Sequence, residues 1–449
     1  MAIRDIRAHG RTTDEVTRTP PGSRLPALLQ TVLFQRDRVK FLTAQAARHG
    51  EVFALRIPPF SDYSVVFSRP EDIKEIFAGD PRDLHAGEGN QILGDVMGRH
   101  SLLLTDEDTH ARARRLLMPA FNGQALRGYR ALVAEIAAAE AERWPDAATV
   151  TTLDRMNALT LEVIVRVVFG VTDAHTYDRL APGLRRIVQL NPLVFLGARN
   201  ARLRRFGPWK RFADNLTAVD DLLYSEIAAR RVAPDLAERT DVLSKLLQVG
   251  ATDADQALTD AELRDQLITL LLAGHETTAS ALAWTLHELA AHPEIHRAAA
   301  AAAERGDEKF LEAVLKEGMR LHTVINGTNR KLTRDMTIGG WSLPAGTVVN
   351  TSIVLAHHRD GNYDDVAAFR PERFLDGAVA PNTWLPFGGG VRRCIGAGFS
   401  LMEGTAVLRE ILVRHSLSLP EGTGAETPRT RNITTVPRGK APITVTRLR

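Results

Sequence analysis

The chain has 449 residues, 44% hydrophobic and 25% charged, which is enough to bury a large core and lies above the usual size of one domain. Its 57 basic residues nearly cancel 54 acidic ones, leaving a formal charge of +3, so nothing draws the whole molecule toward nucleic acid. One cysteine, Cys394, excludes an intrachain disulfide, a four-cysteine cluster and a CxxC redox pair, favours a reducing intracellular setting, and restricts any metal chemistry to one thiolate.

In chain order, residues 1–22 are polar and Arg-rich up to Pro20-Pro21-Gly22 and read as a flexible N-terminus. They lack the apolar run of about 7–15 residues that a signal peptide needs. From Glu51 to Phe77, EVFALRI and YSVVF flank a turn at PPFSD and predict two strands, followed by a short helix after Pro70. The loop Gly87 to Gly98 carries apolar Ile92, Leu93, Val96 and Met97. Helical periodicity dominates from Thr105 to His322, as in Tyr129 to Trp144, where Leu132, Ile136 and Ala139 recur on one face. Within it, DTHARARRLLMPAF sets His110 and Arg114 four apart, on one side of a helix.

Thr259-Asp260-Ala261-Glu262 is a capping box that opens a long helix running to about His292. At its centre, Ala273-Gly274-His275-Glu276-Thr277-Thr278 predicts a kink or opened turn. The reason is that glycine costs about 1 kcal/mol in a helix, and the Thr277 hydroxyl can take the carbonyl of Ala273. The apolar stretch Leu267–Leu272 ends at Gly274, His275 and Glu276, short of the roughly 20 residues that span a bilayer, so no membrane anchor and a cytoplasmic location are expected. Glu276 sits among leucines and alanines, where a buried carboxylate costs several kcal/mol unless it is paired or functional. The alanine run 298–303 reads as a surface helix. Glu317 and Arg320 share a helix face. Strand patterns return in MTIGGWSLPAGTVVNTSI and in the C-terminal APITVTRL. The whole chain 1–449 therefore reads as one mainly α domain with a minor sheet built from both ends, without internal repeats.

The segment L-P-F-G-G-G-V-R-R-C-I-G-A-G-F runs from Leu385 through Cys394 into an apolar helix. A cysteine where a loop meets a helix N-terminus is favoured as thiolate by free N–H groups and the helix dipole. Gly390 and Gly396 permit close backbone approach to the sulfur, and Arg392 offers a cation suited to a carboxylate. A purely structural cysteine requires none of these glycines. A nucleophilic cysteine would fit the helix end equally well, but its histidine partner is not identifiable.

Phe387, Gly390, Arg392, Cys394 and Gly396 match the pattern FxxGxRxCxG, and with it the chain resembles the cytochrome P-450 superfamily over roughly its whole length. The resemblance implies a triangular helical prism in which haem b lies between the long central helix and the helix after the cysteine loop. It implies Cys394 as axial ligand and Glu276 with Thr277 as the acid–alcohol pair of proton delivery, the thiolate pushing electron density from the other side. His110, Arg114, Arg330 and Arg392 would hold the haem propionates, while Ala273, Gly274, Phe387, Gly388 and Gly396 would line the cofactor. Glu317, Arg320 and Arg373 would form a charge network bracing the cysteine loop. Thr323 replaces a frequent proline, and Asn326, Gly327 and Thr328, with Ile92, Leu93, Val96 and Met97, would line the substrate pocket.

The implied activity is monooxygenation of a lipophilic small molecule by dioxygen: hydroxylation or epoxidation of a fatty acid, terpenoid, steroid or other natural product. A peroxygenase or isomerase is the alternative within haem chemistry, and a cofactor-free cysteine hydrolase the distant one. No GxGxxG motif follows a strand, so NAD(P)H would act only indirectly, through a ferredoxin or flavodoxin with its reductase. Arg112, Arg115 and Arg393 would suit an acidic partner, and a monomer is expected.

Overall fold

The computed structural model describes residues 19–170, 174–188, 202–375, 377 and 379–448; the stretch 1–18 of the polar N-terminus lies outside them. The chain divides into two compact units, neither continuous in sequence. One takes residues up to 91, then 312–394 and 424–439; the other takes 92–311, 395–423 and the chain from 440 onward.

The first unit is built on a five-stranded sheet. Its strands are β1 (Val52–Ile57), β2 (Ser61–Phe67), β3 (Leu84–His85), β5 (Gly327–Leu332) and β8 (Val348–Ser352), in the order β1-β2-β8-β5-β3. The sequence-predicted pair β1–β2 is antiparallel, β2 and β8 run parallel, and β5 joins antiparallel between β8 and β3. Alternate residues feed two cores: Val52, Ala54, Val65 and Phe67 on one face, Phe53, Leu55 and Val66 on the other. This explains why β1 reads as a nearly unbroken apolar run. Helices α1 (Ala27–Arg36), α2 (Arg38–His49) and α3 (Pro70–Ala78) belong to this unit, as do the hairpins β6–β7 (Met336–Ile338, Trp341–Leu343) and β10–β11 (Pro428–Arg431, Thr434–Pro437). Pro21, at the end of the stretch expected to be flexible, and Ser23 just after it bond to β1: Ala54 N–H donates to Pro21 O (2.7 Å) and Ser23 N–H to Ala54 O (3.3 Å).

The second unit is helical. In chain order it contains α4 (Glu107–Leu117), α5 (Gly123–Glu142), α6 (Thr152–Phe169), α7 (Ala174–Val188), α8 (Gly207–Arg231), α9 (Val242–Thr252), α10 (Asp260–Ala291) and α11 (Pro293–Arg305). Helix α12 (Glu308–Leu321) carries the chain into the first unit, and α13 (Ala397–Leu412) follows the cysteine loop. The capping box forms as expected, with Thr259 and Glu262 reciprocally bonded. Helix α10 is buried on nearly every side, so it shows little amphipathic pattern. It runs without interruption through Gly274, contrary to the expected opened turn. The glycine instead admits α6, since a Cβ there would stand 2.9 Å from Ile164 Cδ1.

Two further expectations change. The C-terminal strand β12 (Pro442–Arg447) does not join the large sheet; it is the middle strand between β4 (Ala148–Thr151) and β9 (His415–Ser418). The alanine run is only half on the surface, because Ala299, Ala302 and Ala303 are buried where side chains larger than methyl would not fit as closely. Among the described residues, no helix is long and apolar enough to cross a membrane.

Candidate functional site

The cysteine loop belongs to the first unit. Gly388 and Gly390 have φ of +62° and +63°, in the left-handed region that glycine tolerates. At Gly390 a Cβ would lie 2.1 Å from the carbonyl oxygen of Phe77, so α3 and the loop meet backbone to backbone there. The loop then folds back, with Cys394 N–H donating to Phe387 O (2.9 Å). Cys394 is exposed, whereas free cysteines are commonly buried. Gly396 differs from its neighbours: it has ordinary backbone angles, and a Cβ there would meet no protein atom within 4 Å.

The predicted charge network is present, with Glu317 and Arg320 fully buried and Arg373 half-buried. Arg320 donates from Nε to Glu317 Oε2 (2.7 Å) and from Nη2 to Oε1 (2.8 Å), with both side chains at 0% exposure. Arg373 Nε reaches Glu317 Oε1 at 3.2 Å, and the Arg370 backbone N–H donates to the same oxygen at 2.9 Å. Arg320 also donates to the carbonyls of His357 (3.2 Å), Val366 (2.9 Å) and Ala368 (3.0 Å). The trio thus ties α12 to the backbone of 357–370, rather than touching the cysteine loop itself.

His357, which sequence reasoning missed, completes the connection. Its Nε2 accepts from the Leu385 backbone N–H (2.8 Å) at the start of the cysteine loop, and its Nδ1 lies 3.2 Å from Thr323 Oγ1. Accepting at Nε2 requires a neutral ring protonated at Nδ1. Burial foremost, with the charges of His358 and Arg320, holds its pKa well below the ordinary value, consistent with that state. Its only sequence signal is a polar pair, His357-His358, closing an apolar run. Trp384 braces the loop from another side, edge-on to both Phe387 (5.7 Å) and Phe374 (5.6 Å), with its indole N–H donating to Lys316 O (3.2 Å).

In the second unit, Thr277 Oγ1 donates to Ala273 O (2.8 Å), the predicted back-bond. Ala273 is exposed and Gly274 and Thr277 half-buried in the middle of an otherwise buried helix, so α10 keeps one small-residue face open. Glu276 is 6% exposed and His275 2%. Thr160 on α6 donates to the carbonyl of His275 (3.0 Å), and Thr278 pairs with Ser400 on α13 (3.1 Å).

The propionate candidates are unusually buried for cations: His110 is 5% and Arg330 7% exposed, with Arg114 and Arg392 half-buried. Arg330 donates to Asn329 O (2.8 Å) and lies over the Phe77 ring (5.9 Å). Arg112, expected to face a partner, is held by Glu262 (3.1 Å) and the carbonyl of Ala257 (3.1 Å); Arg115 and Arg393 are exposed.

Of the pocket candidates, Val96 and Met97 are buried and Ile92 and Leu93 half-buried. Asn326 uses its amide N–H on Thr435 Oγ1 of β11 (2.7 Å), and Thr328 pairs with Thr351 (2.6 Å). Gly327 is required by its neighbour, since a Cβ there would stand 2.7 Å from Asn350 Oδ1.

Each unit carries residues that fit haem: in the first, an exposed thiol with Arg330 and Arg392 suited to carboxylates; in the second, Gly396 with no protein atom near its Cβ position, the small-residue face of α10, and His110 with Arg114. The cytochrome P450 family profile matches residues 19–445, and the chain belongs to that family of haem-thiolate monooxygenases. Its cofactor is haem b, with NAD(P)H acting indirectly through a redox partner. Cytochrome P450 135A1 of Mycobacterium tuberculosis is 59% identical over 422 residues, covering 94% of each chain. Cytochrome P450 135B1 of Mycobacterium bovis is 42% identical over 433 residues, covering 95% of this chain and 91% of that protein. A solved structure of cyanobacterial CYP120A1 with bound retinoic acid has the same fold, with a TM-score of 0.83 at 24% identity over 96% of this chain and 99% of that one.

Proposed function

We propose that this monooxygenase hydroxylates or epoxidises a lipophilic small molecule, with electrons from a ferredoxin or flavodoxin and its reductase. In this reading it acts in the cytoplasm as a monomer, its whole length a single functional domain. The observation that carries the reading is the exposed Cys394 on a loop held by Phe77, Phe387 and the His357–Leu385 bond.

Bound haem supplies dioxygen activation and the insertion of one oxygen atom into the substrate. The chain's own part begins with Cys394, which would ligate the iron as thiolate, a state favoured by its place where the loop meets the N-terminus of α13. His110, Arg114, Arg330 and Arg392 neutralise the two propionates. Thr277 has a hydroxyl that can leave the Ala273 carbonyl to donate or pass a proton at Oγ1, and Glu276 resupplies that proton. Ala273 and Gly274 keep the helix face low. Ile92, Leu93, Val96 and Met97 are the candidates for an apolar wall, and Asn326, Gly327 and Thr328 for the few polar contacts, a residue choice that supports a lipophilic guest with few polar groups.

Three measurements test this. Carbon monoxide added to the reduced protein should give the red-shifted thiolate band, and Cys394→Ala should abolish it. A compound library screened for spin-state change should return apolar binders; a hit list made only of hydrophilic or highly charged compounds would overturn the substrate assignment. Thr277→Ala should keep the band yet consume NAD(P)H with little product, and tight coupling in that variant would remove Thr277 from proton delivery.

A further inference from the structure

Helix α1 leaves large apolar side chains on its outer face. Its polar residues face inward: Gln30 is 1% exposed, donating to Leu25 O (2.8 Å) and accepting from Arg56 N–H (3.0 Å), and Thr31 donates to Pro58 O (2.8 Å). Leu33 and Phe34 pack beside Phe41 and Phe53. Its large apolar residues face out, with Leu28 at 74%, Val32 at 59% and Leu29 at 42% exposure. Leu28, Val32 and Arg36 follow at four-residue spacing, so they form one stripe along the helix. At its far end the hairpin turn adds Ile433, 42% exposed, fixed by Arg38 donating to Ile433 O (3.3 Å) and Asn432 O (3.2 Å). The inward bonds hold the helix in place, so the stripe is a built surface and not a frayed end.

Charge selects the occupant. From residue 19 to 36 the sequence has no Asp or Glu, and exposed Arg24 and Arg36 bracket the stripe. Residues 427–439, which include the hairpin, likewise contain no acid and carry Arg429, Arg431 and Arg438. The nearest following carboxylate, Asp37, already caps α2 by accepting from Lys40 N–H (3.0 Å). A second copy would bring these cations against each other, whereas an anionic bilayer satisfies both the apolar stripe and its cationic rim.

We propose that Leu28, Leu29, Val32 and Ile433, rimmed by Arg24, Arg36 and Arg429, form a face by which the enzyme docks reversibly on an anionic lipid surface. A lipophilic substrate dissolved in that surface would reach the enzyme without crossing water.

The test is flotation of the full-length, haem-loaded protein with vesicles of phosphatidylglycerol and phosphatidylcholine, or of phosphatidylcholine alone. The wild type should float with the anionic vesicles and be released by about 0.5 M salt. Both the Leu28→Glu/Val32→Glu and the Arg24→Gln/Arg36→Gln double variants should partition at least about tenfold less, while keeping their haem spectrum and melting temperature. Val232→Glu, at another exposed apolar site, should float like wild type. Equal flotation with neutral vesicles, or a Leu28→Glu/Val32→Glu protein that floats like wild type, would overturn the proposal. So would a lipid-free dimer that this double variant disperses, which would give the stripe to a second copy.

Discussion

Glu403 lies on α13, nine residues after the cysteine, and is 1% exposed. Its Oε1 makes no hydrogen bond among the described residues, and burial pushes its carboxyl well above the usual range. An unfolded glutamate gives up its proton near pH 4.3, while the folded one keeps it, so the folded state binds more protons above that pH. The contribution to stability is therefore full below about pH 4.3 and declines by about 1.4 kcal/mol per pH unit until the pH passes the folded value. Glutamine has the same shape and no proton to lose. Glu403→Gln should match wild type near pH 5, apart from a constant offset for its amide, and gain on it steadily above. If the proton is still held at pH 7, the relative gain there reaches about 3 kcal/mol, or roughly 3 °C in melting temperature for a chain of this length. Unfolding followed by tryptophan fluorescence at pH 5, 6, 7 and 8 measures it. A difference between the two proteins that stays flat across this range would refute the reasoning.

Arg320→Lys should be severe, because lysine cannot meet both Glu317 oxygens and three carbonyls at once; a loss of about 3–5 kcal/mol is expected, read as failure to retain haem on gel filtration. The depressed pKa of His357 makes stability full above about pH 6.5 and declining as pH falls below it. His358, held at about 4 by burial, acts in the same direction, so the diagnostic quantity is the difference between wild type and His357→Phe. That variant should lose about 1–3 kcal/mol at pH 7.5 from the unpaired Leu385 N–H, and less at pH 5.5, in denaturant titrations. Gly390→Ala should destabilise the protein even without haem, since its Cβ meets the Phe77 backbone. Gly396→Ala should leave apoprotein melting unchanged while weakening haem retention.

What could be read from the sequence was local chemistry. The capping box of α10, the β1–β2 pair, the Thr277 back-bond and the Glu317–Arg320 contact all depend on residues a few positions apart, where spacing determines geometry. Features closed by distant segments were not legible. The acceptor role of His357 needs Leu385, the engagement of Asn326 needs Thr435, and the pairing of β12 with β4 joins residues almost 300 apart in number. The alanine run was misread for a related reason: alanine's helix propensity says nothing about which face another helix will cover. At Gly274, low propensity suggested a kink or opened turn, but close packing by Ile164 was the actual demand. The membrane-like stripe on α1 was hidden because its polar residues happen to be the inward ones.

The central position of β12 has a consequence during synthesis. Strands β4 and β9 cannot share a sheet until residues 442–447 slide between them, and the first unit likewise waits for residues 424–439. Neither unit can therefore close before these segments have been made. The three-stranded sheet of the helical unit is thus completed only after all of that unit's described helices have been made. A tag or fusion that hinders the C-terminal strand would be felt as poor haem incorporation, far from any residue that touches the cofactor.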